Sequence, residues 1–255
     1  MSPMQLVMIG SGNVATVLGR RIRLAGHTVL QVVSRQPENA ARLAGELGSA
    51  FTDKWQEIDK QADLYLVALS DTALSDFARR GPALDNRLVA HTAGAVSKDL
   101  LETITRRPAV LYPLQSLRKE IEFYPEIPLL IDAQTPADKE LLTAFARTIS
   151  GVVREADDET RIKLHLAAVL VNNFGNHLFR LAEDYCRQEK VDFRLLLPVI
   201  RETADRLTRF SPGEVQTGPA IRKDRATIEK HLSMLGKYLD TSELYELFTK
   251  QIEAL

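Results

Sequence analysis

The feature that most constrains the fold is a glycine turn close to the start of the chain. The segment MQLVMIGSGNVATVLGRRIRLAGH runs from apolar residues directly into Gly10, Ser11 and Gly12, and then into a helical pattern. Gly26 stands where a helix C-cap glycine is preferred. A second apolar run starts within about 30 residues, so the order of strand, turn, helix and strand predicts a βαβ unit.

The spacing Gly10-x-Gly12-x-x-Ala15 is typical of a turn that binds a dinucleotide. Gly10 allows the tight turn, and the missing Cβ of Gly12 lets a pyrophosphate approach the backbone. The free N–H groups and the dipole of the following helix then hold the anion. The alternative is a tight turn without a ligand. The predicted cofactor-binding residues here are Gly10, Ser11, Gly12, Asn13 and Val14.

The end of the second strand indicates which dinucleotide binds. Ser34 and Arg35 follow the run TVLQVV, at the place where sites that prefer NAD usually carry Asp or Glu. A hydroxyl and a guanidinium suit a ribose 2′-phosphate instead. The sequence therefore predicts NADP as the cofactor, with a solvated surface arginine as the alternative for Arg35. No metal site is predicted.

Short apolar runs and helical patterns alternate over the first 155 residues. The predicted strands are residues 6–9, 28–33, 64–69, 87–91, 109–112, 128–131 and 152–154, and the predicted helices are 14–25, 38–47, 72–80 and 137–149. This alternation predicts the α/β class, with a Rossmann-type, doubly wound, mostly parallel sheet. Beyond it only helical patterns remain, at 158–189, 193–208, 225–239 and 242–254. We expect an NADP-binding domain at 1–155 and a second, all-helical domain at 156–255.

Polar residues follow three of the predicted strands. Leu69 and Ser70 are expected to line the ribose and nicotinamide side of the cofactor, and Ser70 also suits an N-cap. Thr92 is expected at the cofactor, whereas His91 is either an acid or base or a hydrogen-bonded structural residue. Tyr112 closes the next strand in YPLQS. The carboxyl ends of parallel strands share one edge of a sheet, so these residues predict a cleft.

The helical pattern at 158–189 is about 45 Å long at a rise of about 1.5 Å per residue. Its middle is apolar nearly all round, which predicts burial. Buried polar side chains need partners, so those in this helix either bond to neighbouring helices or face a polar ligand cavity. They are His165, Asn172, Asn173, Asn176 and His177.

The cavity interpretation assigns roles to three residues. His165 is the expected proton donor, and Asn172 orients the substrate or its developing oxyanion. His91 is the alternative donor. The expected activity is hydride transfer between NADP(H) and a small polar metabolite bound between the two domains. The alternative function is a non-catalytic NADP(H)-binding sensor or scaffold.

Charge and cysteine content bound the remaining possibilities. The net charge of −1 disfavours nucleic acid as a partner, and no apolar window reaches the length of a membrane span. A single cysteine and no recognisable signal peptide favour the cytoplasm. About 70 further residues are too few to cover the long apolar helix, which predicts a homodimer through the C-terminal helices.

Several segments together resemble a known family. IGSGNVATVL, QVVSR, ALSDTAL, HTAGAVS, YPLQS, KLHLAAVLVNNFGNHL and TGPAIRKD are similar to bacterial Rossmann-like proteins with a helical C-terminal domain of unassigned function, often described as NADP oxidoreductases. More distantly, the layout is similar to pyrroline-5-carboxylate reductases, prephenate dehydrogenases, deazaflavin-dependent NADP oxidoreductases and 6-phosphogluconate-type dehydrogenases. The resemblance implies an NADP-binding domain and a helical dimerisation domain.

The chain departs from the 6-phosphogluconate-type enzymes at one position. Those enzymes carry a catalytic lysine followed four residues later by asparagine. Here Lys163 is followed at that spacing by Ala167, so the lysine role is not carried over to this chain.

Overall fold

The computed structural model describes residues 1–122 and 126–255. The chain forms two compact units, Met1–Asn173 and Phe174–Leu255. The first unit holds the sheet, and the second is helical. The α/β class with a helical C-terminal part is thereby confirmed, while the boundary after residue 155 stays a prediction.

The sheet has eight strands in the order β3-β2-β1-β4-β5-β6-β7-β8. The first six are mutually parallel, β7 runs antiparallel to β6, and β8 is parallel to β7. This is a Rossmann-type strand order extended at one edge. The strands are β1 (Gln5–Ile9), β2 (Thr28–Val33), β3 (Ala50–Thr52), β4 (Leu64–Val67), β5 (Asp85–His91), β6 (Thr105–Pro113), β7 (Leu129–Ala133) and β8 (Val153–Glu155).

Helices cover both faces of this sheet. Alternate residues of β1 enter two separate core clusters: Leu6 and Met8 pack into one, Val7 and Ile9 into the other. Burial on both faces explains why the strand reads as a continuous apolar run. The helices of this unit are α1 (Asn13–Leu24), α2 (Pro37–Leu47), α3 (Asp71–Arg80), α4 (Pro136–Ile149) and α5 (Asp158–Ala168).

One strand has no counterpart in the predictions. β3 pairs with β2 at the edge of the sheet, and only one of its three residues, Thr52, is buried. A strand this short and exposed carries no apolar run or alternation for sequence reasoning to detect.

The second unit contains four helices and two short 3-10 turns, at Phe193–Leu196 and Arg206–Thr208. Asp224 caps α8, accepting a hydrogen bond of 3.1 Å from the Thr227 amide. The helices are α6 (Gly175–Gln188), α7 (Leu197–Asp205), α8 (Arg225–Leu235) and α9 (Leu239–Glu253). Over the described part of the chain, no helix combines the length and the apolar character that crossing a bilayer requires.

The long helical pattern is present, and its apolar middle is exposed in the single chain. α5 is followed by a π-helical segment, Val169–Phe174, before α6 begins. The side chains of Leu166, Leu170 and Val171 are 62%, 54% and 81% exposed. The pattern indicated an apolar helix correctly, yet the described residues of one chain do not cover it.

Candidate active site

Backbone geometry requires a glycine at position 10, in the turn between β1 and α1. Gly10 has a φ of +119°, a backbone conformation that residues with a Cβ rarely adopt. A Cβ at this position would lie 2.2 Å from the carbonyl oxygen of Ala68, in the turn after β4. Its amide donates to the Val33 carbonyl at 2.8 Å, so the turn is held against β2 and β4 together.

Protein packing does not explain the second glycine. A Cβ on Gly12 would meet no atom within 4 Å, and the residue is exposed. No side chain caps the start of α1, and its first turn holds no acidic residue. The first N–H groups of a helix lack intrahelical partners, so the start of α1 offers uncapped donors and a positive dipole end to an anion. These residues fit a dinucleotide pyrophosphate.

The end of β2 lies beside this turn. The Ser11 hydroxyl donates to the Ser34 hydroxyl oxygen at 2.8 Å, which places the two predicted cofactor residues together. Arg35 is exposed and forms no hydrogen bond or ion pair within the described ranges. Its guanidinium is therefore available to a ligand that binds along the turn.

The other predicted cofactor residues stand at the same sheet edge, after β4 and β5. Leu69 is half-buried, and Ser70 caps α3 by accepting from the Ala73 amide at 3.4 Å. Thr92 is buried, and its amide donates to the Val67 carbonyl at 3.1 Å. Capping and strand pairing account for Ser70 and Thr92, and their cofactor roles stay predictions.

His91 lies at the end of β5 and is fully buried. Its Nδ1 accepts a hydrogen bond of 3.2 Å from the Ala93 amide, while Nε2 has no hydrogen-bond partner among the described residues. Burial lowers the pKa of His91 to about 4, although the Ser97 backbone acts in the opposite direction. A neutral, enclosed imidazole matches the structural alternative for this residue.

A pocket of about 510 Å³, lined by both apolar and polar side chains, lies between the end of β6 and the helical segment that includes α5. Tyr112 and His165 line it, with 2.9 Å between the Tyr112 hydroxyl and Nδ1 of His165. Gly94 packs directly on this pair. A Cβ on Gly94 would lie 2.8 Å from Cζ of Tyr112 and 3.0 Å from Nδ1 of His165.

The opposite part of the pocket carries amide and hydroxyl groups. Asn172 lines it from the π-helical segment, and its Nδ2 donates to the Ser116 hydroxyl. Asn173 also lines the pocket and is exposed. Two of the predicted catalytic residues, His165 and Asn172, are thus brought together, whereas His91 does not line this pocket.

The loop after β6 joins the pocket to the glycine turn. Its first residues, including Gln115 and Ser116, line the pocket. Farther along the loop, the Lys119 amide donates to Oδ1 of Asn13 at 3.3 Å, and its carbonyl accepts from Arg20 at 2.8 Å. The first part of this loop, residues 114–119, therefore reaches from the pocket to the start of α1.

Arg161 is the group that fixes Gly94 in place. Its side chain is 1% exposed, yet it is charged. It donates to the carbonyls of Gly94 at 3.2 Å and Val96 at 2.6 Å, and it pairs with Asp158 at 2.5 Å. α5 and the loop after β5 are thereby held together beneath the Tyr112–His165 pair.

A second, larger cleft of about 800 Å³ lies at the opposite edge of the sheet. Met4, Asp63 and Leu84, which line it, directly precede β1, β4 and β5. Ligands of open parallel sheets bind at the carboxyl ends of the strands. The glycine turn and the 510 Å³ pocket of Tyr112 and His165 are therefore the candidate active site.

The fold and the glycine turn define the class: a Rossmann-type domain with a turn that fits a dinucleotide. Residues 5–93 match the family model described as NADP oxidoreductase, coenzyme F420-dependent, and residues 127–252 match a domain of unknown function, DUF2520. A crystal structure of a candidate NADP oxidoreductase from Bacteroides fragilis is 36% identical, covers 99% of each chain and superposes with a TM-score of 0.91. The chain belongs to this family of NADP oxidoreductases.

Two more distant structures share the fold. Pyrroline-5-carboxylate reductase from Streptococcus pyogenes is 12% identical, with 99% of both chains covered and a TM-score of 0.66. An imine reductase from Myxococcus stipitatus, solved in complex with NADP+, is 17% identical, with 98% of this chain and 93% of that chain covered and a TM-score of 0.65. No protein of curated function matches the chain in sequence.

Sequence reasoning did not anticipate the pairing of Tyr112 with His165 or the burial of Arg161. Tyr112 was recognisable as a polar strand end, but its partner lies 53 residues away. Arg161 follows Asp158 at a spacing typical of an exposed helical ion pair. No local signal distinguishes it from a surface arginine.

Proposed function

We propose that this protein is an NADP-dependent reductase or dehydrogenase that acts on a small polar metabolite bearing a carbonyl or imine group. The observation that carries the proposal is the uncapped α1 terminus at Gly12, joined by one loop to the pocket of His165 and Asn172. NADP bound at the turn supplies hydride chemistry. The protein contributes binding, orientation and a proton.

The predicted residues other than His91 each have a role in this proposal. The cradle consists of the turn residues 10–14, with Leu69, Ser70 and Thr92 along the same edge. Ser34 and Arg35 hold the 2′-phosphate, because a hydroxyl and a free guanidinium provide charge-assisted donors. In the pocket, His165 is the source of the proton, and Asn172 stabilises the charge that develops on the substrate.

Replacing Arg35 with Asp is expected to weaken NADPH binding about 10- to 100-fold and leave NADH binding nearly unchanged. The lost charge-assisted contact accounts for about 1.5–3 kcal/mol, and about 1.4 kcal/mol corresponds to a factor of ten. Isothermal titration calorimetry with both nucleotides measures the effect. Arg42→Asp is the matched control, since Arg42 is an exposed arginine on α2 whose one side-chain hydrogen bond among the described residues is to Asn39. Equal losses for NADPH and NADH would refute the phosphate role.

Turnover separates an enzyme from a non-catalytic sensor. Keto acids, aldehydes, ketones and cyclic imines are mixed with the protein and NADPH, and the loss of nicotinamide absorbance at 340 nm is followed. Consumption of NADPH that depends on His165 supports the reductase. Tight NADPH binding without turnover across the whole panel would favour the sensor and sink the proposed activity.

The exposed apolar helix supports a homodimer formed through the C-terminal helices. Leu166 and Leu170 are 62% and 54% exposed, and Leu178 and Phe179 on α6 are 40% and 44% exposed. We expect a solution mass of twice the 28.5 kDa of one chain by light scattering. Leu170→Glu should shift the protein to monomer, and Leu24→Glu, at an 87% exposed position on α1, should not. A monomeric wild-type protein at micromolar concentration would contradict the dimer.

A further inference from the structure

The Tyr112 hydroxyl lies in the candidate active site, but the proposed function assigns it no role. It lies at the carboxyl end of β6, lines the 510 Å³ pocket and is 2.9 Å from Nδ1 of His165. Both side chains are half-buried, so they are reachable from the pocket yet largely shielded from solvent. The rings of Tyr112 and His165 pack edge to face, with an angle of 65° between their planes and 6.0 Å between their centroids.

The loop after β5 closes one side of this pair. Gly94 is so near that a methyl group there would overlap Cζ of Tyr112. Arg161 fixes that loop through the carbonyls of Gly94 and Val96. A hydroxyl whose neighbours are fixed in this way is preorganised, because few alternative positions are open to it.

Electrostatics keep the phenol protonated. Burial raises the pKa of Tyr112 above its ordinary value, and the positive charge of Arg161 offsets part of that rise. The titratable groups around the hydroxyl are His165 and Arg161, both on α5, with Asp158 paired to Arg161 and His91 buried on β5. At neutral pH the phenol therefore carries a proton to give, and the buried cation favours the phenolate that forms on its loss.

We propose that Tyr112 is the residue that hands the proton to the substrate, and that His165 replenishes it. This inference rests on the proposed reductase function. As hydride from NADPH, which is thereby oxidised to NADP+, adds to the carbonyl or imine carbon, the substrate π bond breaks and its electron pair moves to the oxygen or nitrogen. That atom forms a bond to the phenolic hydrogen of Tyr112, and the O–H bond breaks with its electron pair left on the phenolate. The phenolate takes the Nδ1 proton of His165, and His165 regains a proton from water through Nε2.

Asn172 and Ser116 complete the arrangement on the opposite side of the pocket. The Asn172 amide is anchored by its hydrogen bond to the Ser116 hydroxyl. An anchored amide can bind a neutral polar group of the substrate without a charged partner. The substrate class that fits is a small carbonyl or imine compound, held by neutral hydrogen bonds while Tyr112 faces its heteroatom.

Tyr112→Phe tests the proposal, since it removes one oxygen and keeps the ring. With the most active compound of the reductase panel, kcat should fall about 10²- to 10⁴-fold, the usual contribution of a general acid. For the wild type we expect kcat to decline at high pH as Tyr112 ionises, and this decline should be absent in Tyr112→Phe. NADPH affinity should stay within a factor of two. Tyr185→Phe, in α6, is the control and should leave kcat unchanged.

His165→Gln tests the relay. Glutamine retains a hydrogen-bonding group but cannot pass a proton, so kcat should fall, and added imidazole should restore part of it. A merely structural role for His165 predicts no rescue by imidazole.

A readout that needs no turnover is the ultraviolet titration of tyrosine near 295 nm. Subtracting the Tyr112→Phe titration from the wild-type titration isolates Tyr112, and its midpoint should lie above the ordinary value of 10.0. A midpoint at or below 10.0, or unchanged kcat in Tyr112→Phe, would overturn the donor role while the reductase stands. A wild-type protein that reduces no compound of the panel would instead remove the proposed function itself.

Discussion

Arg161→Met is expected to destabilise the Met1–Asn173 unit by about 2–4 kcal/mol. The substitution removes the donor of the Gly94 and Val96 carbonyls. A buried acceptor left without a donor costs about 1–3 kcal/mol, whereas the Asp158 carboxylate, whose side chain is 47% exposed, can be solvated by water once Arg161 is gone. The melting temperature should fall by about 10 °C, at about 2–4 °C per kcal/mol for a chain of this size.

The chain offers a closely matched control for this substitution. Arg187 pairs with Asp184 three residues earlier at 2.5 Å, the same spacing and distance as Arg161 with Asp158, but its side chain is 71% exposed. Arg187→Met should change stability by less than about 1 kcal/mol. The only tryptophan, Trp55, packs against Phe77 in the first unit, so its fluorescence reports unfolding of that unit. Similar losses for both variants would show that burial gives Arg161 no special role.

The same two arginines show where sequence reasoning ends. Asp158–Arg161 and Asp184–Arg187 are identical as local patterns, and both predict a solvated helical pair. What buries Arg161 is the loop that contains Gly94, 67 residues earlier in the chain. Tertiary contacts of this range leave no trace in the spacing of one helix, so the burial of Arg161 could not be predicted from the sequence.

The glycine turn could be predicted because its cause is local. Gly10 and Gly12 sit between a buried strand and a helix, and the backbone conformation that they permit depends on a few adjacent residues. The doubly wound, mostly parallel sheet followed from the alternation of apolar runs and helical patterns. β3 was not predicted, because its three residues are too few to show an apolar run or an alternation.

The long helix was only half predictable. Its extent from Asp158 to Gln188 agrees closely with the pattern at 158–189, but the π-helical segment Val169–Phe174 was not foreseen. Such segments occur often at functional sites, and this one carries Asn172 into the pocket. Apolar periodicity indicates that a helix needs covering, and it does not say whether the cover comes from the same chain.

The burial of His91 predicts a pH dependence of stability. The pKa is about 4 in the folded chain against an ordinary value of 6.5, so the folded state binds the proton more weakly than the unfolded state. Stabilisation is therefore complete above pH 6.5 and is lost progressively as the pH falls towards 4. Between pH 7.5 and 4.5 we expect this one residue to lower the free energy of unfolding by about 2–3 kcal/mol.

His91→Asn isolates that contribution. The asparagine oxygen can accept the Ala93 amide as Nδ1 of His91 does, and it does not titrate in this range. We expect urea unfolding, followed by Trp55 fluorescence, to show that the free energy of unfolding of the wild type falls by about 2–3 kcal/mol more than that of the variant on going from pH 7.5 to 4.5. His27, whose pKa burial also lowers, is present in both proteins, so its effect cancels. Equal losses would mean that His91 takes up its proton as readily in the folded chain as in the unfolded one, which a fully enclosed imidazole with an unpaired Nε2 should not do.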